Sequence, residues 1–115
     1  ECASADQRIV FHCYSGDAAM AQCLAEHGWY ASFAGPITYP ANSDLRAALA
    51  VLPRELVLVE TDAPYLTPVP WRGCPNASYV MAHTVRFIAE LWGVSEAAAC
   101  DQLRANTEAV YGSWW

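Results

Sequence analysis

The stretch that most constrains this chain is Leu56-Val57-Leu58-Val59, four consecutive apolar side chains followed at once by Glu60-Thr61-Asp62. A strand with one wet face alternates apolar and polar residues. A continuous apolar run of this length reads instead as a strand covered on both faces, as in parallel sheets. Parallel neighbours need helical crossovers between them, and the flanking sequence supplies these.

Arg8-Ile9-Val10-Phe11-His12 reads as a first short strand. Asp17 offers an N-cap to a helix carrying Met20, Cys23, Leu24 and His27, and Gly28 stops it. Trp29 to Ala34 is a second strand closed by Gly35-Pro36, and a loop then runs through Pro40. Asn42 or Ser43 caps a second helix with Leu45, Ala48, Leu49 and Leu52 on one face, ended by Pro53. After the third strand, the segment from Ala63 to Asn76 holds four prolines, which exclude regular structure, and two aromatics that can pack it. Val80, Thr84, Phe87, Ile88 and Leu91 mark the buried stripe of a third helix stopped by Gly93. Ser95 caps a fourth carrying Ala99, Cys100 and Leu103, with Asn106 to Tyr111 as a last short turn.

This order predicts parallel strands near residues 8–12, 30–34 and 56–61, adjacent in sequence order within one α/β unit spanning residues 1–115. Three parallel strands leave two bare edges. The pattern therefore points to part of a larger sheet or barrel.

Hydrophobic residues make up 55% of the 115, which excludes a disordered chain. No apolar run approaches the roughly 18 residues of a membrane span. Glu1-Cys2-Ala3-Ser4 has neither the basic start nor the apolar run of a signal peptide. Twelve acidic side chains face six basic ones, all arginine, for a net charge of −6. That balance excludes broad electrostatic wrapping of nucleic acid. A nucleic-acid substrate then requires a metal ion or a local arginine at the phosphate. The five cysteines, at 2, 13, 23, 74 and 100, form no C-x-x-C pair, so a zinc ribbon or thioredoxin motif is out. They read as core or half-buried thiols in a reducing, cytoplasmic setting.

In parallel α/β folds the reactive groups gather at the C-terminal strand ends. Here these ends offer His12, Gly35 and Glu60-Thr61-Asp62. Imidazole and carboxylate are ordinary ligands for a divalent cation, so His12 and Asp62 are candidate metal ligands. The alternatives are a core histidine and an Asx turn ahead of Pro64. Arg72 and Asn76 are candidates for contact with a phosphate, against a plain surface arginine and a helix cap. Trp71 and Tyr65 are able to stack on a base or to pack the loop. His27 and His83 read as helical face residues.

Several motifs match a known family. Phe11-His12-Cys13-Tyr14-Ser15-Gly16 resembles the F-H-C-F-S-G segment of TatD-type metal-dependent hydrolases, and Trp29 to Gly35 is similar to their next strand. Leu52 to Leu66, with Glu60-Thr61-Asp62-Ala63-Pro64-Tyr65-Leu66 at its heart, is similar to their most specific signature. Arg72-Gly73 and Asn76 continue it, and Asn106 to Gly112 is similar to their ending. The resemblance implies a TIM (β/α)8 barrel, two divalent metal ions (Mg, Mn or Zn), and hydrolysis of DNA phosphodiester bonds. It implies that His12 and Asp62 are metal ligands. Read as part of an enzyme, the chain would use Asp62 to orient or deprotonate a metal-bound water, Arg72 and Asn76 to hold substrate, and Glu60 to support the ligands from behind. A TIM barrel takes about 250 residues, so the chain corresponds to the last three strand–helix units. The family's His-x-His pair, a glutamate and a further histidine ligand have no counterpart in it. Trp71 stands where the family usually has His before Arg-Gly. The expected partners are therefore DNA and the remaining part of the barrel, or a second copy, and no membrane. An inactive remnant and an α/β interaction module are the alternative readings.

Overall fold

The computed structural model describes residues 8–61, 63 and 65–112. Strands β1 (Val10–Phe11), β2 (Tyr30–Phe33) and β3 (Val57–Val59) form one sheet in the order β1-β2-β3, with both pairings parallel. Helices α1 (Ala18–His27) and α2 (Ser43–Val51) connect them, and α3 (Met81–Trp92) and α4 (Glu96–Tyr111) follow. The predicted order and direction of the strands are both observed.

The strands are shorter than expected, for local reasons. At Cys13 the backbone turns into the left-handed region at φ +48, so β1 ends before His12. Leu56 belongs to a 3₁₀ turn, Arg54–Leu56, rather than to β3. Asn106 of α4 holds that turn: its Nδ2 donates to Arg54 O at 2.6 Å and to Val57 O at 2.7 Å. Arg54 O also accepts from Val57 N, so the asparagine reinforces a turn that the backbone already closes and ties it to α4. Asn106 therefore sits inside a continuous α4, not in a separate last turn.

The core lies between the sheet and all four helices, with Leu103 of α4 part of it. Register places Ala31 beside Val57 and Phe33 beside Val59, on one face by the strand period of two. Ala31, Phe33 and Val57 pack with Leu24, Ile37, Leu49 and Ile88, all buried. Ser32 and Leu58, on the opposite face, are buried as well. Each large aliphatic in such a core contributes about 1.5–3 kcal/mol.

Asp17 and Ser95 cap their helices as expected, accepting from Met20 N and Ala98 N. Gly28 and Gly93 close α1 and α3 at φ +70 and +69. Other expectations are corrected. Asn42 caps nothing with its side chain; its Nδ2 donates instead to Pro36 O. The buried stripe of α3 is Thr84, Ile88 and Ala89, and Leu91 is 44% exposed in the last turn. Cys23, Cys74 and Cys100 are exposed and Cys13 half-buried, because each helical cysteine sits one position to the side of the buried stripe.

The proline-rich segment lies against the end of β2. A Cβ on Gly35 would stand 2.0 Å from Leu66 O, so only glycine permits this approach. The Thr38 hydroxyl donates to Gly35 O at 2.7 Å and accepts from Val69 N at 2.9 Å. Tyr39 Oη donates to Thr67 O at 2.7 Å, and Thr67 Oγ1 donates to Cys74 O at 2.6 Å. Three side-chain hydrogen bonds, from Val69 N to Thr38, from Tyr39 to Thr67 O and from Thr67 to Cys74 O, thus do for this loop what a ladder does for a sheet.

Candidate metal centre at the strand ends

His12 and Glu60 leave the C-terminal ends of β1 and β3 and meet beyond β2. His12 Nδ1 lies 2.9 Å from Glu60 Oε1. Cys13 N donates to Glu60 Oε2 at 2.6 Å. Glu60 N in turn donates to Phe33 O at 3.0 Å, which fixes the backbone of the carboxylate to β2. The His12 side chain is 71% exposed and that of Glu60 only 12%. The carboxylate is thus the rigid, enclosed member, and the imidazole is the face it presents outward.

Glu60 Oε1 is buried and makes no hydrogen bond of good geometry, although the imidazole nitrogen is within reach. A buried carboxylate oxygen in that condition favours positive charge or a proton donor next to it. The donor chemistry on hand, imidazole nitrogen and carboxylate oxygen, suits a divalent cation. The residues present therefore fit a metal, as one part of its coordination. Among the described residues, no three His, Cys, Asp or Glu side chains converge as a complete site.

Asp62, the second expected ligand and the expected catalytic carboxylate, lies outside the described residues. Its surroundings are held firmly. Asn76 Nδ2 donates to Thr61 O at 2.7 Å and to Tyr65 O at 2.9 Å, spanning position 62 on both sides. Ala63 N donates to Thr61 Oγ1 at 3.3 Å. Asn76 is 6% exposed, and both its amide hydrogens go to backbone carbonyls.

Arg72 is exposed, and its guanidinium stacks on Tyr39, with Cζ 3.9 Å from the ring centroid. Stacking through the face leaves the edge N–H donors for an anion. Tyr39 was not legible as its partner, because 33 residues separate the two.

Trp71 and His83 form another pair that sequence pattern did not reveal. Trp71 Nε1 donates to His83 Nε2 at 2.9 Å. The two line an open cleft of about 410 Å3 with Cys74, Pro75, Tyr79 and Val80. Tyr65 and Trp71 are both exposed, so their rings do not pack the loop from within. Beside β1, the Tyr14 hydroxyl donates to Asp17 O at 2.8 Å. Burial, and then the nearby Asp17 charge, pushes its pKa above the ordinary value of 10.0.

The sequence model of the family described as TatD related DNase matches residues 1–112. A Mycobacterium tuberculosis protein named "Uncharacterized metal-dependent hydrolase TatD" is 40% identical over 111 residues, covering 96% of this chain and 42% of that protein. A Mycoplasma pneumoniae protein named "Uncharacterized metal-dependent hydrolase" is 46% identical over 90 residues, covering 74% of this chain and 34% of its own length. The crystal structure of YjjV, a TatD homolog from Escherichia coli, superposes with a TM-score of 0.82 at 30% identity, over 90% of this chain and 40% of that one. A TatD family hydrolase from Entamoeba histolytica shares the fold at 13% identity, with a TM-score of 0.73. The chain thus spans about two fifths of the relatives it matches most fully. Three strand–helix units are roughly three eighths of a (β/α)8 barrel, in keeping with that share. By its motifs, its partial barrel of three parallel strands and its match along nearly the whole length, the chain belongs to the TatD related DNase family.

Proposed function

We propose that this chain supplies one side of a metal-dependent hydrolase centre that cleaves DNA phosphodiester bonds. The observation that carries this reading is the convergence of His12 and Glu60, 2.9 Å apart at one end of a parallel sheet. The relatives' names support metal-dependent hydrolysis, and the family description supports DNA as the substrate. His12 and Asp62 hold the metal in this reading, within a site of two divalent ions (Mg, Mn or Zn) completed by the rest of the barrel. Bound divalent ions supply Lewis acidity for phosphoryl transfer. Asp62 accepts the proton of the attacking water. Arg72 offers its edge donors to a phosphate oxygen, and Asn76 keeps the loop that carries Arg72 closed against the strand end. With a net charge of −6, the chain depends on such local positive charge to admit DNA.

The outer edges of β1 and β3 pair with nothing among the described residues. They are the places where the rest of the barrel, or a second copy, adds strands. None of the described helices is long and apolar enough to cross a membrane. The exposed thiols at 23, 74 and 100, in no disulfide among the described residues, support a reducing, cytoplasmic setting.

A nuclease assay with Mg²⁺ or Mn²⁺ tests the proposal, run on the chain with and without a polypeptide carrying the other barrel strands. Two ligands fall short of the three usual even for an open catalytic zinc site, so the chain alone should turn over little or no DNA. Adding the other strands should restore hydrolysis, and His12→Ala or Asp62→Ala should abolish it. Robust metal-dependent cleavage by the monomeric chain alone would overturn the reading.

A further inference from the structure

We infer that the cleft between the proline-rich loop and α3 takes a nucleobase of the substrate strand, stacked on the ring of Trp71. The inference rests on the reading of DNA as substrate and adds a base-binding subsite to it. The cleft, of about 410 Å3, has Trp71, Pro75, Tyr79, Val80 and His83 in its lining. Its volume falls in the range of small-ligand sites, roughly 300–1,000 Å3. Aromatic and apolar walls of this kind hold a base by its flat face.

Trp71 is 51% exposed and yet is held at three points. Its backbone N–H donates to Pro68 O at 2.9 Å, its carbonyl accepts from Cys74 N at 3.0 Å, and Nε1–H donates to His83 Nε2 at 2.9 Å. A loop tryptophan that serves packing alone buries its ring. This one stays half in water, and its single side-chain donor is already spent on α3. Stacking is then what the exposed ring has left to offer, and an aromatic fixed beforehand gives up little freedom on binding. Tyr65 and Tyr79, 73% and 85% exposed, lie on the same segment. Exposed apolar surface concentrated in this way marks a contact site.

The chemistry beside the cleft selects its occupant. Arg72 follows Trp71 directly, and its guanidinium stacks on Tyr39 with the edge donors left for an anion. Successive residues thus present a ring for a base and a cation for a phosphate, two parts of one nucleotide. An uncharged aromatic ligand would leave Arg72 idle, and a bare phosphate would leave the cleft empty. The two groups share one frame. Tyr39 Oη donates to Thr67 O, and Thr67 Oγ1 donates to the carbonyl of Cys74 in the cleft wall. Asn76, next to Pro75, ties that wall to Thr61 O beyond the end of β3.

The test is binding of two short single-stranded oligodeoxynucleotides in EDTA, so that nothing is cleaved. The two carry the same phosphates, but one has its bases and the other is abasic throughout. The base-bearing strand should bind about 5–100-fold more tightly. Trp71→Ala should bring the two affinities together, Trp71→Phe should keep most of the difference, and Arg72→Ala should weaken both strands alike. In the wild-type chain itself, the Trp71 Nε1–H signal in proton–nitrogen NMR, assigned by its loss in Trp71→Phe, should move with the base-bearing strand and not with the abasic one. Equal affinity of wild type for the two strands overturns the inference, as does a preference for bases that survives Trp71→Ala. So does a Trp71 signal that stops responding once the other barrel strands are added, which would make the cleft an internal seam of the barrel. If the base preference is present and the reassembled barrel cleaves no DNA, the hydrolase reading fails and the base subsite stands. Cleavage without the preference has the reverse meaning.

Discussion

The helical side of this molecule and its strand-end side are built on different principles. On the helical side, Leu24, Ile37, Leu49 and Ile88 share one apolar cluster with the sheet. At the strand ends, order depends on single polar side chains gripping backbone: Thr38, Tyr39, Thr67, Asn76 and Glu60. Among the described residues, both non-glycine residues with positive φ, Cys13 and Leu66, are on that side. Apolar burial is summed over many weak, non-directional contacts. Side-chain-to-backbone grips are few and directional, and each fixes one place. Stability rests on the first, and the geometry of the centre on the second.

Three substitutions separate these two kinds of order. Leu49→Ala should have the largest effect, about 2–5 kcal/mol of global stability, a large share of the 5–15 kcal/mol usual for a domain. Urea unfolding should show a lower midpoint at an unchanged slope. If the midpoint stays within error of wild type, the apolar cluster is not what holds the sheet.

Asn76→Ala should cost about 1–3 kcal/mol by leaving the carbonyls of Thr61 and Tyr65 unpartnered. The loss should be local. Amide hydrogen exchange should quicken from residue 61 to 76 and remain slow in α1 and α2. Equal acceleration in both regions would show that the loop and the core form one cooperative unit.

The smallest effect concerns Tyr14, where the two regions adjoin. Its raised pKa means the folded state keeps this proton when the unfolded state begins to lose it. The stabilisation is complete below the ordinary value of 10.0 and is lost as pH rises through that value toward the folded one. Tyr14→Phe should flatten this alkaline fall and leave the pH dependence below it unchanged. An identical alkaline slope in both proteins would show that another group governs it.

The sequence disclosed what local chemistry decides. Caps at Asp17 and Ser95, stops at Gly28 and Gly93, and the order of three parallel strands all follow from short windows of residues. It disclosed less where the deciding partner is distant. Periodicity puts Leu91 in line with Thr84 and Ile88, but cannot say that the packing surface ends before the last turn of α3. Asn106 reads as a turn residue because the carbonyls it satisfies, Arg54 O and Val57 O, lie about fifty positions earlier. His12 and Glu60 were each conspicuous at a strand end, yet the bridge from one carboxylate to both His12 and Cys13 depends on how far β1 and β3 stand apart across β2. Arg72 carries no sequence mark of the Tyr39 ring beneath it.

The grip of Glu60 on the Cys13 backbone spans 47 residues, and this separation has a kinetic meaning. Closing so long a loop is among the slower and more entropically costly events in a small chain. β1 and α1 can form early from neighbouring residues, but His12 acquires its carboxylate only when β3 has docked on the far side of β2. The centre is therefore assembled late, and a half-folded chain presents a histidine without its carboxylate. The meeting of His12 with Glu60 then serves as a report that folding is complete.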